Sequence, residues 1–179
     1  MKMKNFKNSD QGLMKKIKPF VFVGLVLLFT ARLSAQSGAI NFSGTWALNE
    51  SKSNFGDSPF RMAASILTVK QEGNNLSTER SVNSPDGQEM KMTGKYTMDG
   101  KECENVGFMD SKTKSTVKWS ADGKSITIAS STIFNMNGEN MEMKGTEIWM
   151  LDGDKTLKIE TTNSMPDGDM KTSLVYDKK

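Results

Sequence analysis

The sequence predicts an all-β fold, an antiparallel up-and-down meander of eight to ten strands closed into a barrel behind an N-terminal signal peptide. Three observations carry this. A turn dipeptide recurs at Asp86-Gly87, Asp99-Gly100, Asp122-Gly123, Asn137-Gly138, Asp152-Gly153 and Asp167-Gly168, the last four at intervals of 15 residues. Asn-Gly and Asp-Gly supply the positive φ angles that a tight hairpin needs. Between these turns, β-branched and apolar residues alternate with charged ones, without helical periodicity. Hairpin-sized segments also repeat: 83–96 resembles 163–176, and 117–128 resembles 147–159. Closing such a meander removes its exposed edges. An open sandwich is the rival fold.

The N-terminus reads as a targeting segment. Lys2, Lys4, Lys7, Lys15, Lys16 and Lys18 precede an apolar run from Phe20 to Phe29, and small residues at Ser34 and Ala35 follow. That is the order of a secretory signal peptide, and the run is too short to span a bilayer as a helix. Cleavage is expected between Ala35 and Gln36, which makes residues 1–35 the signal and 36–179 the mature domain, periplasmic or secreted. A start at Met14 would give a tidier signal, which N-terminal sequencing of the precursor decides. The absence of a cysteine after the apolar core argues against a lipid anchor.

Removing residues 1–35 takes away seven basic residues and one acid, so a precursor of 24 basic and 21 acidic residues becomes a mature chain of 17 and 20. The basic balance belongs to the signal. Lysines alternate with acids on the remaining strands, and no nucleic-acid patch is expected. Some 144 mature residues form one domain with room for a core. The single cysteine, Cys103, cannot form an intramolecular disulfide. The chain has no histidine, which excludes Ser-His-Asp and Cys-His catalysis and histidine zinc sites.

The turns delimit strands at 64–71, 75–83, 88–98, 101–109, 112–120, 124–135, 139–151, 155–164 and 169–177, after a first strand near 43–48. Period two then assigns faces. Met90, Met92, Gly94, Tyr96 and Met98 share the inward face of one strand, and a tight turn at Asp99-Gly100 sets Tyr96 opposite Cys103, so that Cys103, Asn105, Gly107 and Met109 face in. Trp119 pairs with Ile126, and Ile128, Ser130, Thr132, Phe134 and Met136 continue inward. Met141, Met143, Gly145, Glu147, Trp149 and Leu151 follow. A single β-bulge would reverse these faces beyond it. Because successive turns fall at alternate ends, the turns near 73, 99, 122 and 152 share one end with Tyr96, Trp119 and Trp149. At the other end lie eight of the eleven mature methionines: Met90, Met92, Met109, Met136, Met141, Met143, Met165 and Met170. The expectation is an aromatic plug at one end and a methionine-lined mouth at the other.

The segment Phe42-Ser43-Gly44-Thr45-Trp46-Ala47-Leu48, just after the signal, resembles the opening of lipocalin-like secreted bacterial domains. Its Gly44-Thr45-Trp46 matches the Gly-x-Trp motif of the first lipocalin strand. The resemblance implies a calycin-like barrel with Gly44 and Trp46 at its closed end. It also implies that residues 49–62 form a loop across the open mouth. Lipocalins place an arginine late in the chain over that tryptophan, whereas the only mature arginines are Arg61 and Arg80. Ten strands suit the fatty-acid-binding relatives equally well.

The methionines have three readings: adaptable filler of a barrel without a cavity, a flexible lining for an apolar or amphipathic ligand, or Cu(I) ligation by the pairs Met90/Met92 and Met141/Met143. Glu147 faces in between Gly145 and Trp149, and an unpaired buried carboxylate is costly. Arg80 shares parity with Leu76, so an internal Arg80–Glu147 pair would anchor the polar head of a ligand, by analogy with the interior arginines of fatty-acid carriers. A bulge or frayed end would instead put Arg80 in water. Cys103 and Asn105 read as core. Only Glu147 among the acids has inward parity on a clearly read strand, so no carboxylate pair for glycoside chemistry and no enzyme is expected. The expected function is binding or carrying a small hydrophobic or amphipathic molecule inside the barrel. The alternatives are a ligand-free module of the cell envelope, then a Cu(I)-handling protein. No cofactor is expected. The candidate interior residues are Arg80, Met90, Met92, Tyr96, Met109, Trp119, Phe134, Met136, Met141, Met143, Glu147 and Trp149.

Overall fold

The computed structural model describes residues 40–57, 63–83, 87–107, 110–136, 138–165 and 168–179, with backbone alone at 136, 139 and 165. The signal segment 1–35 and Met109 lie outside the described residues. Ten strands follow in order: β1 Gly44–Leu48, β2 Ala64–Glu72, β3 Asn75–Asn83, β4 Glu89–Thr97, β5 Glu102–Val106, β6 Lys112–Trp119, β7 Ser125–Met136, β8 Glu139–Asp152, β9 Thr156–Met165 and β10 Gly168–Lys178. They make one sheet in the order β4-β3-β2-β1-β10-β9-β8-β7-β6-β5, with the first strand paired to both β2 and the last. This is the meander the turn spacing predicts, curled into a nearly closed barrel. Among the described residues, no helix is long and apolar enough to cross a membrane.

The turns are built as their residues require. Gly100, Gly123, Gly138 and Gly153 all carry positive φ. Asp110, in the β5–β6 turn, takes φ 56° without glycine's freedom, which a short polar side chain tolerates. Hairpin register then follows: Trp119 pairs with Ile126, and β7 and β8 pair continuously from Ser125–Met150 to Met136–Glu139. The alternation of burial along β4 puts Met90, Met92, Gly94 and Tyr96 inward and leaves Glu89, Lys91, Thr93 and Lys95 outside. A bulge at Ser65 shifts the β2–β3 register between Ala64 and Ile66, beyond the residues that set the lumen.

The core fills the end where the predicted tryptophans gather. Phe42, Trp46, Leu67, Leu76, Val117, Ile126, Trp149 and Leu157 are fully buried there, with Tyr176 and Met98 beside them. Phe42 stands at the centre: its ring stacks on Trp119 at 6.1 Å and meets Trp149 edge-on at 6.0 Å. The Trp46 indole N–H, which would be costly to bury unpaired, donates to the Phe42 carbonyl at 3.0 Å. Over the Trp46 ring, 5.3 Å from its centroid, lies the Lys178 ammonium. The ammonium over the ring face is a cation–π contact that covers the outer side of the indole. Gly44 makes the approach possible, since a Cβ there would lie 3.1 Å from Lys178 Cε and 3.4 Å from the indole.

Two expectations are corrected. Residues 49–57 do not cross the mouth. After a single 3-10 turn at Glu50–Lys52, capped by the Asn49 side chain, the segment runs on beside β10. The Asn49 N–H donates to the Val175 carbonyl at 2.8 Å, the Val175 N–H donates to Ser53 Oγ at 2.9 Å, and Asn54 and Ser173 form a β-bridge. At Gly56 a Cβ would lie 2.2 Å from the Lys171 carbonyl oxygen, so only glycine lets the segment follow β10 this closely. Residues 58–62 lie outside the described residues. The second correction concerns β4 and β5. They are consecutive and joined by the Asp99-Gly100 turn, yet no backbone ladder joins them among the described residues, and they form the two edges of the sheet. Side chains bridge this seam instead. The Asn105 amide takes the Lys95 N–H at 2.8 Å and donates to the Lys95 carbonyl at 3.1 Å, and the Thr97 N–H points to Cys103 Sγ at 3.2 Å. Inserted side chains hold the strands too far apart for direct pairing, while the inward parity of Cys103, Asn105 and Gly107 is kept.

Candidate functional site

Arg80 is on β3 and Glu147 on β8, five strands apart whichever way the ten-stranded ring is followed. Inward parity on both strands aims the two side chains at one another across the lumen. They meet in a bidentate pair: one terminal guanidinium nitrogen lies 3.0 Å from Glu147 Oε1 and the other 2.7 Å from Oε2. Fork-to-fork geometry of this kind is the strong form of an ion pair. Trp149 Nε1 donates to the same Oε2 at 2.8 Å, and the Arg80 guanidinium sits 5.7 Å from the centroid of the Trp149 ring. The side chains keep 26% and 23% of their surface open, so the strut rests on the aromatic plug with one flank free.

Electrostatics follow from that placement. Burial pushes the Glu147 carboxyl upward, but the Arg80 charge, its hydrogen bonds and the Trp149 indole outweigh this and hold it below the usual range. Burial lowers the Arg80 pKa and Glu147 more than offsets it, so the guanidinium stays charged. Burial also raises the phenols of Tyr96 and Tyr176, the latter to about 12. Both are neutral hydroxyls at physiological pH.

On one side of the strut lies a cavity of about 160 Å³. Its lining comes from β3 through β8 by way of the seam: Thr78 and Arg80, Met92 to Gly94 and Tyr96, Asn105 to Gly107, Thr113 and Ser115, Ile128 and Ser130, and Glu147. Among the described residues, β1, β2, β9 and β10 contribute nothing to it. The cavity thus lies between the strut and the unladdered β4–β5 edge. Thr93 and Val106, which alternate outward, also border the cavity, so it reaches the outside through the seam.

The structure brings together Arg80, Met92, Tyr96 and Glu147 of the sequence candidates, with Trp149 supporting the pair. Trp46 and Trp119 belong to the plug. Tyr96 packs against that plug and also borders the cavity. Met90, Phe134 and Met143 are half-buried toward the open end without bordering the cavity, and Met141 is 42% exposed. The side chains of Met109 and Met136 lie outside the described residues. The two Met-x-Met pairs stand on β4 and β8, which are not neighbours in the sheet. Sequence reasoning passed over Thr78, Thr113 and Ser115, and took Asn105 for core. Their inward parity was readable, but neutral hydroxyls and amides carry no chemical flag.

No family model and no curated protein sequence matches the chain. Among solved structures, it is similar to the zebrafish ileal bile acid-binding protein complexed with cholic acid. The likeness covers 77% of this chain and 98% of that one, with a TM-score of 0.50 and 14% identity. At that identity it shows the fold alone: a calycin-like barrel of ten antiparallel strands.

Proposed function

We propose that this protein is an exported carrier or binder of a small amphipathic molecule, held in the cavity between the Arg80–Glu147 strut and the β4–β5 seam. The observation that carries the reading is a cavity beside a polar pair in a barrel whose other end is solidly packed. A binding site of this type joins an apolar wall to a few placed polar groups. Met92, Ile128 and the Tyr96 ring supply the wall, and Arg80, Thr78 and Ser130 supply polar groups. That a barrel of the same fold is complexed with cholic acid supports a small amphipathic ligand for this one. The signal-like N-terminus supports export, with cleavage near Ala35, and the chemistry of the lining supports binding rather than catalysis.

A second reading has its own observation. At about 160 Å³ the cavity is smaller than the roughly 300–1,000 Å³ common for ligand pockets. This favours a filled barrel acting as an envelope module unless the ligand is short or the seam yields. Native mass spectrometry of the protein purified from its own host separates the two. A retained small-molecule mass is expected for the carrier. A protein that arrives without adducts, and takes up no amphiphile on titration, would be the filled module.

A further inference from the structure

We infer that the lumen selects neutral amphiphiles, with a hydroxyl, carbonyl or ether head, and rejects carboxylates. This inference rests on the interior-binding reading and names its ligand class. An interior arginine alone would suggest the opposite, an anchor for an anionic head. Here that anchor is already taken: Glu147 accepts hydrogen bonds from both terminal nitrogens of Arg80 and from the Trp149 indole. The pair is neutral as a unit. Among the described residues, every other one bordering the cavity is uncharged, so none of them is a second cation to receive a ligand carboxylate. An anionic head would enter as an uncompensated charge beside an existing carboxylate, in a largely buried site. A neutral acceptor meets no such cost. The bidentate pair leaves the remaining Arg80 N–H donors without a partner among the described residues, and the Tyr96, Thr78 and Ser130 hydroxyls stand near.

The test compares two probes of equal chain length, octanol and octanoate, titrated calorimetrically into the mature protein at pH 7.5. The wild type is expected to bind octanol about tenfold or more tightly than octanoate. Glu147→Gln keeps the shape and an acceptor for Arg80 but removes the negative charge, so the preference is expected to move toward octanoate by at least tenfold. Met92→Lys, opposite Arg80 in the β3–β4 register, adds the missing cation with the strut intact and is expected to gain octanoate affinity. It serves where Glu147→Gln does not fold. Equal or tighter binding of octanoate by the wild type would overturn the inference and leave interior binding standing. So would an unchanged preference in a folded variant. If neither probe binds the wild type or either variant, interior binding itself fails and the selectivity fails with it.

Discussion

Arg80 contributes to stability because of what it leaves behind when removed. Arg80→Ala would strand Glu147 beside the plug with only the Trp149 indole for company, and breaking such a pair costs about 3 kcal/mol. Urea unfolding of the variant at pH 7 checks this. The same pair governs acid behaviour. Glu147 has a folded-state pKa below its ordinary value, so on acidification the unfolded chain takes up the proton first. Its contribution is complete above about pH 5 and is lost as pH falls through the folded-state pKa. Over that window, stability is expected to fall more steeply in the wild type than in Glu147→Gln, as parallel urea titrations would show. At the alkaline end Tyr176 has the opposite sense. Burial pushes its phenol up to about 12, so its contribution holds below about pH 10 and is lost as pH climbs through 12.

At the scale of elements, the β4–β5 seam and the plug behave differently. In the seam, side chains stand in for a strand: Asn105 satisfies both backbone groups of Lys95, and Cys103 Sγ takes the Thr97 N–H. Asn105→Ala is expected to cost about 1–2 kcal/mol and to speed hydrogen exchange at the Lys95 amide, while amides of the β7–β8 hairpin stay protected. An unchanged Lys95 exchange rate would show that the edge is held some other way. The plug depends on apolar volume. Phe42 is fully buried between two tryptophans, and Phe42→Ala is expected to cost about 3–5 kcal/mol, read from the urea midpoint. Strand parity and the tryptophan end were both legible, because period two and alternating turns are local rules. The importance of Phe42 was not, since it precedes the first strand and no alternation reaches it.

For the whole molecule, closure runs through the termini. The first strand is held by the last, and Lys178 covers Trp46 from one residue short of the chain end. Deleting residues 171–179 would strip both β1 and β9 of a neighbour. Cooperative unfolding is expected to disappear in the truncated protein, as circular dichroism during thermal melting would show. The sequence by itself determined the all-β meander, the faces of its strands and the end at which the tryptophans gather. Glycine turns and side-chain alternation act within a dozen residues and need no partner. Only the tertiary structure decided that Arg80 meets Glu147 instead of water, that 49–57 follows β10 instead of crossing the mouth, and that β4 and β5 part company. Each depends on how far the sheet curls and on which distant strands then face one another across the lumen, and local alternation is blind to that distance.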